Sequence, residues 1–173
     1  MLIAMAGLPG AGKSTLAQVI GSRLGASVVS VDPLEAAILK AGIDSDQPTG
    51  LAAYLVAETI AESVLVSGQH VIVDAVNAVD PAREQWVDLA QRQGVKVKFI
   101  EISCPDPEIH RQRLENRERK LSRPSAVRRH AVEQSLEEYS QWAGPSGAVA
   151  RITIDSTQPL GSNVEIALAF LED

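Results

Sequence analysis

Gly7, Gly12, Lys13 and Ser14 satisfy the pattern G-x-x-x-x-G-K-[ST] inside the stretch GLPGAGKST, residues 7–15. These residue types at this spacing point to one chemistry. Glycines let a loop turn its N–H groups inward with no Cβ in the way. A helix opening at Lys13 adds unpaired N–H groups and the positive end of its dipole. The stretch therefore predicts a cradle for the phosphates of a nucleoside triphosphate. Gly7, Leu8, Pro9, Gly10, Ala11 and Gly12 would wrap the anion, and Lys13 would bridge the β- and γ-phosphates. Ser14 would offer its hydroxyl to Mg²⁺, while Thr15 reaches the α-phosphate.

Moving a phosphoryl group needs three further parts: a carboxylate for the metal, a base for the acceptor hydroxyl, and cations for the transferring phosphate. Asp74 ends the apolar run HVIVD (70–74) and so sits at the carboxyl edge of a strand, where α/β proteins bind ligands. It is the candidate for holding Mg²⁺ through water. Asp32 ends SVVSVD and is the candidate general base; the same residue also reads as a cap for a helix led by Pro33. Which of the two aspartates is the base stays open. Arg113 and Arg117 lie four apart on one helix face, and Arg123 follows in the turn LSRP (121–124). Arginine forks of this kind stabilise equatorial phosphate oxygens by paired hydrogen bonds. A lid segment is expected at about residues 117–128.

The charge distribution favours that use of the arginines. The chain carries a net charge of −6, yet residues 110–130 hold Arg111, Arg113, Arg117, Arg119, Lys120, Arg123, Arg128 and Arg129 against only Glu115 and Glu118. That segment is +6 and the rest −12, an imbalance that a plain solvated helix face does not explain. On the acceptor side, Tyr54, Glu58 and Glu62 recur every four residues, Glu35 lies one turn past Asp32, and Asn77 lies three past Asp74. A pocket with several acids suits a neutral or cationic hydroxyl-bearing small molecule better than a carboxylate or phosphate.

Other nucleotide chemistries are disfavoured. No Asn-Lys-x-Asp string is present to read guanine, and Asp74 is followed by Ala75 rather than the Glu of a motor ATPase. His70 has no partner at metal-ligand spacing. Cys104 is the sole cysteine, so no internal disulfide forms and a reducing compartment is expected. No stretch of about 18 apolar residues is evident, and the first apolar run stops at five with no basic leader, which points to the cytoplasm rather than a membrane.

These groups need a scaffold, and the chain is long enough for one domain over residues 1–173. Hydrophobic residues make up 45% of it but aromatics only 3%, so aliphatic side chains must fill the interior. Five β-rich runs stand out at 2–6, 27–31, 70–74, 95–103 and 151–155. Helical spacing separates them, at 13–24, 33–41, 50–66, 81–93, 108–120, 125–142 and 161–171, with Asp80 placed to cap the helix at Pro81. Strand alternating with helix reads as an α/β fold with a parallel sheet.

GLPGAGKST, the Asp after the second strand, VIVDAVN (71–77) and the arginine-rich segment occur in the order found in small P-loop metabolite kinases, which this chain resembles over nearly its whole length. Shikimate kinase, gluconate kinase, adenylylsulfate kinase, chloramphenicol phosphotransferase and zeta-toxin-like kinases belong to that group. SVDPLEAAI (30–38) is most similar to the chloramphenicol phosphotransferase pattern, in which the corresponding Asp is the base. The resemblance implies a P-loop NTPase fold, with a five-stranded parallel sheet in the order 2-3-1-4-5, helices on both faces and an arginine-rich lid. It implies that Asp155, Ser156 and Thr157 lie near the adenine. It implies an ATP- and Mg²⁺-dependent kinase of a small hydroxylated molecule; a nucleoside or nucleotide kinase and a non-catalytic ATP-binding regulator are the alternatives. Polynucleotide-type members carry Arg three residues after the second-strand Asp, where this chain has Glu35, so a nucleic-acid acceptor is not expected.

Overall fold

The computed structural model describes residues 1–120 and 139–173, with residues 117–120 described by their helical backbone alone. Five strands, β1 (Leu2–Ala6), β2 (Ser27–Ser30), β3 (Val71–Asp74), β4 (Val97–Ser103) and β5 (Arg151–Asp155), form one sheet in the order β2-β3-β1-β4-β5. Every pairing is parallel. Helices α1 (Lys13–Leu24), α2 (Val31–Lys40), α3 (Thr49–Val66), α4 (Asp80–Arg92) and α5 (Pro107–Lys120) follow in chain order. The short α6 (Gly144–Gly147) and the terminal α7 (Leu160–Glu172) complete the described elements.

Alternation along the strands divides the interior in two. Leu2, Ala4, Val71, Val73 and Phe99 face a core shared with α3 and α4. Ile3, Met5, Ile72, Ile100 and Ile102 face the other side, packed against α1 and α7. Both sides of β1 and β3 are therefore dry, as expected of central parallel strands. Helix α3 reaches the sheet through Ala53, Ala57 and Ala61, all fully buried, whose small side chains at four-residue spacing allow close approach.

The expected sheet and its order are what the structure shows, with β1 and β5 beginning and ending where the sequence put them. Three local expectations change. The second strand stops at Ser30, and α2 opens directly at Val31, so Asp32 stands in the first turn of a helix and not at a strand end. Val79, not Asp80, precedes α4; Asp80 lies inside its first turn and bonds Arg83 at 3.0 Å. Residues 139–142, expected to be helical, are not, while residues 125–138 of the same expected helix lie outside the described residues. Apolar composition also needs a correction: α3 is long and apolar enough, by length and composition, to cross a membrane. Here its alanine face lies on the sheet.

Candidate active site

The carboxyl ends of β3, β4 and β5, with the loop after β1 and the start of α2, border one cleft of about 800 Å³. Its floor is the loop between β1 and α1. Gly7, Gly10 and Gly12 hold φ of 125°, 79° and 109°, a backbone region that side chains disfavour. At Gly7 the space is also closed, because a Cβ would stand 2.2 Å from the Ile102 carbonyl oxygen. Helix α1 then begins with no side-chain cap and no acid in its first turn. Lys13 is 7% exposed and folds over the loop, donating to the carbonyls of Gly7 at 2.8 Å and Leu8 at 3.1 Å. An uncapped helix start, a glycine loop and a buried ammonium on one side of a cleft fit the phosphates of a nucleotide.

On the β2–β3 side the cleft wall carries Asp32 and Asp74. Ser30 and Asp74 are register partners, and the serine hydroxyl donates to Asp74 Oδ2 at 3.0 Å. Ser14 lines the same cleft, so a hydroxyl and a carboxylate face it together. Oxygen donors of this kind suit a hard divalent cation that keeps waters and phosphate oxygens as its other ligands. Behind Asp32, Glu35 accepts a hydrogen bond from Thr49 at 3.0 Å. The Tyr54 hydroxyl accepts one from the Asn77 N–H at 3.1 Å. Burial pushes that phenol up to about 12, the Asn77 bond opposes the shift, and the charges of Asp32, Glu35 and Asp74 add to it. Three carboxylates, two from α2 and one from β3, thus bear on one acidic corner.

The far side of the cleft is built by residues that follow β5. Arg113 of α5 donates to the Ser156 hydroxyl at 2.7 Å, the Ser156 carbonyl at 2.8 Å and the Ala11 carbonyl at 3.2 Å. It therefore ties the glycine loop to the segment after β5. Thr157 lines the cleft, but the Asp155 carboxylate does not. It turns back on the Thr157 hydroxyl and N–H, and those bonds hold it below its ordinary range. Asn116, Gln158, Leu160 and Asn163 also line the cleft and were missed in the sequence. Only Asn163 left a signal: it falls in the first turn of a helix and bonds the Asp155 carbonyl at 2.9 Å.

Gly10, Gly12, Lys13, Ser14, Thr15, Asp32, Asp74, Arg113 and Thr157 share this cleft. Gly7, Leu8 and Ala11 line a smaller neighbouring cavity of about 240 Å³ with His110 and Tyr139, and Pro9 is held by its carbonyl 2.7 Å from His110 Nε2. Three candidate acceptor contacts lie elsewhere. Asn77 is fully buried; its amide nitrogen donates to the Met5 carbonyl at 2.7 Å and its oxygen accepts from Trp86 at 2.9 Å, so it is a core residue. Glu58 faces α4, bonding Gln85 and pairing with Arg92, and Glu62 bonds Gln93. Glu58 thus joins α3 to α4, Glu62 joins α3 to the residue that follows α4, and neither lines the cleft. The side chain of Arg117, Arg123 and most of the expected 117–128 lid lie outside the described residues.

The fold is similar to that of a gluconokinase from Sinorhizobium meliloti, at 22% identity and a TM-score of 0.63, over 98% of this chain and 90% of that one. It is similar to the APS kinase CysC of Mycobacterium tuberculosis in complex with AMPPNP and APS, at 18% identity and 0.67, over 99% and 97%. Kti12 of Chaetomium thermophilum, in complex with ADP-AlF3, aligns at 16% identity and 0.76, over 99% and 98%. At these identities the likeness shows a P-loop kinase fold and no more. No curated protein sequence matches the chain. A family described as an AAA domain, AAA_33, matches residues 2–142, from β1 through both aspartates and the arginine-bearing helix, and the chain belongs to it.

Proposed function

We propose that this chain is a kinase that transfers the γ-phosphoryl group of ATP to a hydroxyl of a small molecule. The observation that carries the reading is the continuity of one cleft. It runs from Asp32 and Asp74, across Lys13 and Ser14, to Ser156 and Asn163. A triphosphate over the glycine loop leaves the carboxylate side for a second molecule. Structural neighbours that are kinases of gluconate and of APS support a small acceptor.

In this reading Lys13 leaves the Gly7 and Leu8 carbonyls to hold the β- and γ-phosphates, and the first-turn N–H groups of α1 fix their orientation. Arg113 braces the base side of the loop, while Arg117 and Arg123 remain the candidates for the transferring phosphate. Asp32 orients the acceptor hydroxyl and takes its proton. Ser14 and, through water, Asp74 would hold Mg²⁺, which neutralises charge on the phosphate oxygens when bound. Among the described cleft-lining residues the cations are Lys13 and Arg113, and both stand on the nucleotide side. With Asp32 and Asp74 on the other side, the reading favours a neutral or cationic acceptor.

The test is a screen of labelled γ-phosphate transfer to nucleosides, sugars and hydroxylated antibiotics, with Lys13→Ala and Asp32→Asn as controls. Transfer to a small alcohol, lost in both variants, is the expected result. Transfer confined to nucleosides or nucleotides would make it a nucleoside or nucleotide kinase. Tight nucleotide binding with no acceptor-stimulated turnover would favour a nucleotide-binding regulator, a reading that draws on the likeness to Kti12 in complex with ADP-AlF3.

A further inference from the structure

Helix α5 is fixed from one side and grips from the other. Asp106 caps its start, one carboxylate oxygen accepting the N–H groups of Glu108 at 2.9 Å and Ile109 at 3.1 Å. On the outer face Arg111 pairs with Glu108 at 2.8 Å and Glu115 at 2.6 Å. His110, Arg113 and Leu114 recur at helical spacing on the inner face, which meets the glycine loop. His110 Nε2 lies 2.7 Å from the Pro9 carbonyl, and Arg113 donates to the Ala11 carbonyl at 3.2 Å. Leu114 closes on Gly10 between those contacts: a Cβ there would stand 2.8 Å from Leu114 Cδ2 and 3.4 Å from His110 Cδ2. A carbonyl only accepts, so Nε2 is the ring nitrogen that carries the proton in this contact.

We infer that His110 is a positioning residue for the nucleotide: its imidazole, backed by Leu114, holds the glycine loop in the form that receives phosphates. The inference rests on the reading of that loop as a nucleotide cradle. The peptide unit is planar and trans, so a carbonyl held by α5 sends the N–H that follows it the other way. Pro9 thus aims the Gly10 N–H away from α5, and Ala11 does the same for the Gly12 N–H. Both glycines line the cleft, whereas neither His110 nor Leu114 does. His110 therefore acts on the nucleotide through the loop.

The loop needs such a hold. Gly7, Gly10 and Gly12 all stand at positive φ, and a stretch so rich in glycine has many other conformations open to it. In the proposed function Lys13 gives up the Gly7 and Leu8 carbonyls for phosphate oxygens, so its own restraint ends as the nucleotide binds. The His110 contact persists, because that ring lines the smaller neighbouring cavity and a phosphate in the cleft does not compete for it. A loop already ordered pays less of its conformational entropy on binding, and the saving appears as affinity.

The test is calorimetry of Mg·ATP binding to the full chain, for the parent, His110→Leu, His110→Gln and Gln112→Ala, each with a thermal melt in the absence of nucleotide. Leucine keeps bulk without a donor, and the glutamine amide offers an N–H at a similar reach. Gln112 bonds Glu108 on the exposed outer face, so its variant controls for a general loosening of α5. His110→Leu should bind about tenfold more weakly, with His110→Gln back to within about threefold of the parent. Gln112→Ala should bind as the parent does, and the melts should lie close together. Equal affinity in His110→Leu and the parent overturns the inference and leaves the cradle standing. A loss that His110→Gln does not restore also overturns it, since ring packing then explains the effect. A parent with no affinity for Mg·ATP overturns the nucleotide reading and this inference together. If His110→Leu does not fold, His110→Asn, whose amide is one carbon too short to reach Pro9, takes its place under the same outcomes.

Discussion

Ser30 and Asp74 face each other across the β2–β3 ladder, and the serine hydroxyl holds one oxygen of the carboxylate that points into the cleft. A ligating carboxylate oriented by such a partner keeps its geometry between turnovers. Ser30→Ala should therefore raise the Mg²⁺ concentration needed for half-maximal transfer by about tenfold, while affinity for metal-free nucleotide stays level. A magnesium titration of the parent and variant reads this directly. An unchanged titration would show that Asp74 does not act through a metal.

Lys13→Ala removes a nearly buried cation from the loop. With no ammonium to meet the phosphates, transfer should fall by about 10²–10³. The glycine loop and helix start remain, so the variant should still melt cooperatively. Calorimetry of Mg-nucleotide binding beside a thermal melt separates lost binding from lost fold.

Gly7 tests the close approach of the loop to β4. Its φ of 125° and the Ile102 carbonyl at 2.2 Å from an added Cβ leave Gly7→Ala no relaxed solution. The variant should lose about 2–3 kcal/mol of stability. Gly68→Ala is the control: its φ is 81° but no atom lies within 4 Å of the added Cβ, so it should cost only about 1 kcal/mol. Chemical denaturation of both variants reads the difference.

How far the sequence spoke depends on what each signal measures. The glycine loop and the strand-end position of Asp74 were legible, because spacing and strand ends are local properties. Asp32 was misplaced by a turn because the β-branched run VVSV continues without a break into the helix that Ser30 precedes. Glu58 and Glu62 share a helix face, as their spacing says. Which neighbour that face meets is a tertiary fact, and Gln85 and Arg92 of α4, with Gln93 just after it, supply the answer. Asn77 looked like a cleft residue because it closely follows Asp74. Its φ of 49° swings the side chain inward to Met5 and Trp86 instead.

Arg83 had no signal at all, being one charge in an amphipathic helix. It is fully buried and lies 4.1 Å from the centroid of the Trp142 ring. It donates to the carbonyls of Asn77, Ala78, Ser140 and Gln141, so it pins the turn after β3 to the chain that enters α6. Arg83→Met keeps the bulk and leaves those oxygens without their donor. The expected loss is about 3–5 kcal/mol, because an emptied buried polar site costs its full desolvation. A melting temperature lower by roughly 6 °C or more would register it.

Glu101 gives the acid limb of stability. Burial on β4 would push its carboxyl up, but hydrogen bonds from Tyr139, Trp142 and Thr153, with Arg151 nearby, bring it below the ordinary glutamate value. A group lowered by folding binds its proton more readily in the unfolded chain, so stability rises with pH through this range. Its contribution is complete above the ordinary value of about 4.5 and is lost as pH falls through the lowered one. Glu101→Gln keeps much of the shape without the charge. Its melting temperature should fall less steeply than the parent's between neutral pH and the acid range. Parallel curves would mean that the Tyr139–Glu101–Trp142 cluster contributes nothing to acid sensitivity.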